Sequence, residues 1–395
     1  MSEPRQSDEK VLLFCLSWFF YNFSYWAVMS YLPIHLKEIG YTRPDVGYCM
    51  AIPQFIALCA VVPFGYFSDR FAARRLSQVG IGLMALWTVA LALLPKGPAL
   101  TASFAFAGAG STLHLVAFNA LFLKHLTPET KGRKVGAFVF AEFFGYSLGP
   151  MAGPAALKAL GLADTLSSVY FYGAAAGFAA ALIVTLFLRD AERLPFHLSE
   201  YVDDLRSGSG RLIVGILLMY AFHFGAEQAF YPALMREQCG LDQLGVGEVF
   251  AYSGVLIAAT AFWSGGLFDR RKKFFTTMAI AMIFSGAFQA FTGAGHSFWQ
   301  MIGIRTPHVI ADGVLNCYVT LFVATAFPQH RLGGNYGFVN AVRTISIFLG
   351  AVASGHLVQG GGLPMPFYVT GLVCAGAGAI LLFFRPQLKR VMAET

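Results

Sequence analysis

Two stretches of the chain place ionisable side chains at helical spacing inside apolar runs. His223, Glu227 and Tyr231 recur every fourth residue with Gln228 beside them, and His308, Asp312 and Asn316 repeat the spacing, with Arg305 one turn earlier. Residues four apart share one helix face, so each set is a polar stripe on an otherwise apolar helix. An ionisable group within a bilayer costs on the order of 3 kcal/mol, and groups kept there mark ion or substrate paths. Carboxyl and imidazole side chains in such a place can load and release protons as hydration or a cationic neighbour changes. Smaller polar sets lie in other apolar runs: Asn22, Tyr25 and Trp26; His114 and Asn119; Glu142 and Tyr146; Asn340 and Arg343. Local roles stay open for all of them. His223 can bond Glu227 within its own helix, Arg305 can pair with Asp312 or snorkel outward, Arg343 can do likewise, and lone asparagines can simply glue helices together.

The elements that position these residues are membrane helices. Of 395 residues, 56% are hydrophobic and 12% charged, with a mean hydropathy of +0.60; soluble domains average about 45–50% apolar and about 25% charged. Apolar runs long enough to span a bilayer are read at 11–33, 45–64, 76–95, 99–123, 135–158, 166–188, 211–235, 245–264, 274–294, 298–326, 335–358 and 364–384. They are continuous and lack period-two alternation, which excludes a β-barrel. The net charge of +7 does not signal a nucleic-acid partner, because the basic residues sit in short loops between the runs. Only Lys37, Arg43, Lys96, Lys158 and Arg236 fall in the loops of one face, so both termini are expected on the cytoplasmic side. The six cysteines are scattered singly and give neither a disulfide framework nor a metal motif. The Asn22-Phe23-Ser24 glycosylation triplet lies within the first run and is discarded. That run is too long for a cleaved leader and is expected to remain as the first helix.

The longest polar stretch separates spans six and seven. It predicts an N-terminal six-helix bundle at 1–188, a cytoplasmic linker at 189–210 and a C-terminal six-helix bundle at 211–395. A shift of 200 positions superimposes the halves without gaps: Tyr31 meets Tyr231, Gly40 meets Gly240, Gly47 meets Gly247 and Pro128 meets Pro328. Most specific is Gly65-Tyr-Phe-Ser-Asp69-Arg70, which meets Gly265-Gly-Leu-Phe-Asp269-Arg270 in the same predicted loop. Parallel six-helix halves are a transporter architecture, with the substrate site near the midplane.

The segment from Gly65 to Arg75 resembles the loop 2–3 signature of the major facilitator superfamily, departing from it at Phe67 and at Ala72-Ala73. Gly145-Tyr-Ser-Leu-Gly149-Pro150-Met-Ala-Gly153-Pro154 is similar to the helix 5 signature of that superfamily's drug/proton antiporters. The arginine usual in helix 4 of those antiporters is replaced here by Ala105, ahead of Gly108-Ala-Gly110. The resemblance implies an all-α membrane protein with twelve transmembrane helices in two pseudo-symmetric halves, acting as a monomer. It also implies a cytoplasmic gate at Gly65, Asp69, Arg70, Arg74, Asp269 and Arg270, with Gly149 and Pro150 on helix 5. In the gate, a glycine at the end of helix 2 lets the backbone turn, and the aspartate meets a helix N-terminus or a basic side chain when the cytoplasmic side is shut. Helices 1, 4, 7 and 10 of the family line one central cavity. With the polar residues of helices 5 and 11 added, the expected substrate contacts are Asn22, Tyr25, Trp26, His114, Asn119, Tyr146, Gln228, Tyr231, Arg305, Asn316, Asn340 and Arg343. Proton coupling falls to Glu227 and Asp312, with Glu142, His223 and His308 as further sites.

No phosphate-binding loop G-x-x-x-x-G-K-[ST] occurs, so a gradient rather than ATP hydrolysis must supply the energy. The expected function is therefore that of a secondary transporter, not an enzyme, without metal or cofactor. It moves a small organic solute across the bacterial cytoplasmic (inner) membrane by alternating access, in contact with protons and membrane lipids, and the helix 5 signature favours export. Two alternatives remain: an uptake symporter or facilitator for an organic anion, suggested by Arg305, Arg343 and nearby histidines, and a lipid flippase or non-transporting receptor on the same scaffold.

Overall fold

The computed structural model describes residues 4–159, 167–191, 199–200, 203, 208–271 and 273–394. Among these residues there is no strand, and twelve long helices follow one another: α1 Pro4–Glu38, α2 Arg43–Arg70, α3 Ala73–Leu93, α4 Pro98–Lys124, α5 Lys131–Ala159, α6 Ser167–Leu186, α7 Gly208–Glu237, α8 Gln243–Arg271, α9 Phe274–Thr292, α10 Phe298–Ala326, α11 Leu332–Gly361 and α12 Met365–Glu394. Ten of them are long and apolar enough to cross a membrane, and α6 adds the shorter apolar segment Phe171–Leu186. Twelve crossings are expected from the sequence; α5 and α6 run into residues 160–166, which lie outside the described residues, as does most of the expected linker.

Local signals account for the helix ends. Thr42 caps α2, its hydroxyl accepting from the Asp45 amide while the Asp45 carboxylate accepts from the Thr42 amide, a reciprocal capping box. Ser297 caps α10 by accepting from the Gln300 amide. After α1 and α7 the chain turns at Gly40 (φ 94°) and Gly240 (φ 67°), in the left-handed region that a side chain penalises. These two glycines are a pair in the sequence repeat.

The chain divides into two compact units. Unit 1 comprises Met1–Leu126, Ala141–Pro195 and Gln329–Phe338; unit 2 comprises Thr127–Phe140, Phe196–Pro328 and Val339–Thr395. Within unit 1, α3 packs on α4 and α6, α1 on α6, and α2 on α4. Within unit 2, α9 packs on α10 and α12, α7 on α12, and α8 on α10. The second set of pairs is the first advanced by six helices, so the repeat is carried in packing as well as in sequence.

The Gly65 motif is not a loop. Both α2 and α8 run through their Asp-Arg pairs, to Arg70 and Arg271, and the turn after α2 falls at Phe71 and Ala72. Gly65 therefore serves close approach and not chain reversal: a Cβ there would lie 2.7 Å from the Gly333 carbonyl oxygen and 3.0 Å from the Gly334 Cα. Gly145 and Gly149 likewise bring α5 against the α1 backbone at Phe19–Ala27. Their small face serves packing within unit 1.

Candidate functional site

Unit 2 buries a cluster of five ionisable side chains contributed by two helices. From α7 come His223 and Glu227; from α10, which caps at Ser297 and carries Pro307 within it, come Arg305, His308 and Asp312. His223 and His308 are completely buried, Asp312 is 2% exposed and Arg305 4%. Glu227 retains 16% side-chain exposure, which makes it the member nearest to water.

The guanidinium of Arg305 stands 2.6 Å from Glu227 Oε1, donates to Gln289 Oε1 at 2.9 Å and lies over the Tyr231 ring, 4.6 Å from its centroid. His308 Nε2 is 2.9 Å from Glu227 Oε1 and 3.2 Å from Asp312 Oδ2. His223 Nε2 is 3.6 Å from the same Asp312 oxygen. On the far side of each imidazole, Nδ1 meets a backbone carbonyl: Ser285 for His308, at 2.9 Å, and Tyr220 for His223. A carbonyl oxygen only accepts, so each Nδ1 carries the hydrogen and each Nε2 points at carboxylate oxygens. Ser285 Oγ donates to Asp312 Oδ1 at 2.7 Å and completes the cradle.

In a neutral imidazole that arrangement sets a lone pair against acceptor oxygens 2.9–3.6 Å away. Such a contact is favourable only when a cation occupies it, whether a proton on Nε2 or an ion bridging nitrogen and oxygen. With neutral imidazoles, two carboxylates and one guanidinium leave one uncompensated negative charge. The cluster is therefore built to take up positive charge.

The structure settles the local alternatives left open by the sequence. His223 does not bond Glu227 within α7; its nitrogens go to the Tyr220 carbonyl and to the side of Asp312. Arg305 pairs with Glu227 across helices and not with Asp312, and it does not snorkel. Asn316 donates to the Asp312 backbone carbonyl at 2.9 Å, so it stays within its own helix. Gln228 is exposed, one residue around α7 from Glu227, and Arg343 lies over Phe224 with 5.9 Å to the ring centroid, on α11 with Asn340. Ser285 and Gln289 of α9 are cluster members that the sequence reading misses; their four-residue spacing is the only signal of them.

Among the described residues, the polar side chains of unit 1 sit in an aromatic lattice. Trp18 stacks on Tyr21 and Phe118, with centroids 5.7 and 5.6 Å away, and its indole donates to Glu142 Oε2 at 3.2 Å. His114 is fully buried, 4.0 Å from the Tyr21 ring and 2.9 Å through Nδ1 from Ser77 Oγ. Trp26 meets Tyr25 and Tyr146 edge-on. The amides of Asn22 and Asn119 donate to the carbonyls four residues earlier, Trp18 and Leu115.

The aspartates of the repeated motif cap helices. In unit 1, Asp69 accepts from the Gly333 and Gly334 amides at 2.9 and 2.7 Å, in the first turn of α11, and pairs with Lys124 at 2.6 Å. In unit 2, Asp269 accepts from the Gly132 and Arg133 amides at 2.8 and 2.9 Å, in the first turn of α5. A carboxylate at a helix N-terminus satisfies open amides and meets the positive end of the dipole. Arg70 bonds the Tyr66 hydroxyl and Arg74 the Leu188 carbonyl, both at 2.8 Å; Arg270 is exposed.

The sequence model of the family described as Major Facilitator Superfamily matches residues 14–288 and 213–393. An uncharacterized MFS-type transporter of Methanocaldococcus jannaschii is 19% identical over 83% of this chain and 86% of its own length. Multidrug resistance protein MdtG of Escherichia coli is 28% identical over 43% of each chain, so this chain matches less than half the length of that relative. Among solved structures, the human organic anion transporter MFSD10 (TETRAN) superposes with a TM-score of 0.79 at 16% identity, covering 95% of this chain and 99% of that one.

Proposed function

The chain belongs to the Major Facilitator Superfamily, and from that premise we propose that it is a proton-coupled secondary transporter exporting a small organic solute across the cytoplasmic membrane by alternating access. The observation that carries the reading is the buried cluster of unit 2, whose charge is completed by one added cation. A proton entering through Glu227, the member with residual exposure, reaches His308 Nε2 within 2.9 Å and Asp312 within a further 3.2 Å. Glu227 is the loading group in this scheme, and Asp312, braced by Ser285, is its anchor. Solute contacts fall to the aromatic side chains of unit 1, Tyr25, Trp26 and Tyr146, with Glu142 one turn before Tyr146 on α5. Both termini face the cytoplasm in this reading, which the distribution of lysine and arginine favours.

Export accords with the helix 5 signature and with the likeness to multidrug resistance proteins. Uptake of an organic anion is less well supported, because Arg305, the cation best placed to meet one, is committed to Glu227 and Gln289. The capped aspartates, Asp69 and Asp269, act as latches whose formation favours one conformational state over the other. The test is transport in proteoliposomes with and without an imposed pH gradient. Glu227→Gln is expected to abolish gradient-driven accumulation while keeping substrate exchange, since glutamine hydrogen-bonds but carries no proton. Unchanged accumulation by the variant overturns the assignment of Glu227.

A further inference from the structure

We propose that His223, Glu227, His308 and Asp312 form a binding site for a divalent transition cation of the zinc class, held in four-coordinate geometry. The inference goes beyond proton coupling and stands or falls on binding alone, whatever the transport direction or solute.

Three observations carry it. The first is spacing: one ligand atom from each of the four residues lies within 4.8 Å of every other, and the measured nitrogen–oxygen separations are 2.9, 3.2 and 3.6 Å. Ligands bound at about 2.0–2.1 Å around a tetrahedral ion stand about 3.4 Å apart. Three of the six edges of such a shell are thus already near that length, and the other three lie within 4.8 Å.

The second observation is orientation. Each imidazole has its Nδ1 hydrogen tied to a backbone carbonyl, which fixes the tautomer and presents the Nε2 lone pair inward, the outer-shell arrangement that metal-binding histidines require. Both Nε2 atoms are fully buried and lack a hydrogen-bond partner. Ser285 holds Asp312, and Arg305 with Gln289 holds Glu227, so both carboxylates are braced by neighbours that are not themselves ligands.

The third is donor chemistry. Two imidazoles and two carboxylates suit zinc, manganese or ferrous iron, whereas calcium and magnesium call for oxygen ligands throughout. Arg305 sets the limit on affinity, since its charge lies beside Glu227. His223, His308 and Asp312 are accordingly the firm ligands, and Glu227 the fourth.

The test is calorimetric titration of the chelator-treated, desalted full chain in detergent with zinc chloride, and visible spectroscopy with cobalt(II). Expected are one zinc per chain at micromolar dissociation constant and the intense visible bands of four-coordinate cobalt. His308→Gln and Asp312→Asn should each weaken zinc binding at least tenfold and abolish those bands. His296→Ala, which alters an exposed imidazole outside the cluster, should change neither. If a cluster variant aggregates, displacement of manganese from the wild-type chain, followed by electron paramagnetic resonance, supplies the count without it. No zinc binding below millimolar concentration, zinc binding that survives His308→Gln, or pale six-coordinate cobalt overturns the proposal. Zinc binding by the wild-type chain leaves the cation site standing whatever Glu227→Gln does to proton coupling, whereas absence of zinc binding together with unchanged coupling in Glu227→Gln removes the cluster from function altogether.

Discussion

Replacing Asp69 by asparagine separates the two repeated latches in a measurable way. The Asp69 carboxylate takes two amide hydrogen bonds from the start of α11 and an ion pair from Lys124, with side-chain exposures of 0% for the aspartate and 4% for the lysine. Asparagine keeps one acceptor but turns an NH2 toward the second amide and leaves Lys124 buried without its counter-charge. Breaking a buried pair from one side costs about 3–5 kcal/mol, which is roughly a 10²- to 4 × 10³-fold shift toward the state in which the latch is open. Asp269 also caps two amides, but the position that repeats Lys124 is Ala324. The nearby Lys131 donates to the Ala324 carbonyl at 2.9 Å and acts on Asp269 through its field without a direct ion pair. Asp269→Asn therefore loses only about 1.5–3 kcal/mol, the contribution of a hydrogen bond to a charged group, or roughly ten- to a hundredfold. Hydrogen–deuterium exchange of peptides covering 329–338 and 131–137 reads the two latches separately, alongside counterflow in proteoliposomes. Asp69→Asn should speed exchange at Gly333 and Gly334 and slow turnover more than Asp269→Asn does, with membrane insertion intact. Wild-type exchange and turnover in Asp69→Asn, or equal effects of the two variants, would refute the argument.

Ser285→Ala removes the hydroxyl that braces Asp312 while leaving the Ser285 carbonyl for His308; it should lower stability by about 1–3 kcal/mol, seen as a reduced melting temperature in detergent. Gly149→Val puts a Cβ 2.5 Å from the Phe23 carbonyl oxygen and 2.9 Å from the Ala27 amide. It should cost at least about 1–3 kcal/mol through overpacking of α5 on α1, measured by the same melting curve, and a neutral result would mean that α5 shifts freely. Glu142→Gln keeps an acceptor for the Trp18 indole and should leave folding unchanged, while weakening binding of an organic cation in a direct binding assay.

Much of the architecture was legible because it rests on short-range rules. Apolar runs gave the helices, and Gly40 with Gly240 and Asp69 with Asp269 gave the repeat at a fixed shift. Partner choice in the cluster was not legible. Whether Arg305 reaches Glu227 or Asp312 depends on the axial register of α7 against α10, and one helical turn, about 5.4 Å, decides it. The serine–histidine contacts between the third and fourth helices of each half, Ser77 with His114 and Ser285 with His308, are hidden for a related reason: the serines and the histidines are displaced by different numbers of residues, so no single shift aligns both. The Gly65 motif misled in the opposite direction. Glycine before a polar segment reads as a turn, yet here it is a contact point inside a helix, and only the Gly333–Gly334 backbone opposite it shows why.

The hydrogen bond from the Trp18 indole to Glu142 makes unit 1 its own optical probe. An indole whose N–H faces a carboxylate, within a stack of Tyr21 and Phe118, changes its emission when that carboxylate gains a proton, pairs with an organic cation or moves away. The chain has five tryptophans, so the difference between wild-type and Trp18→Phe fluorescence isolates this one. Occupancy of the aromatic lattice can then be followed in real time without attaching a dye.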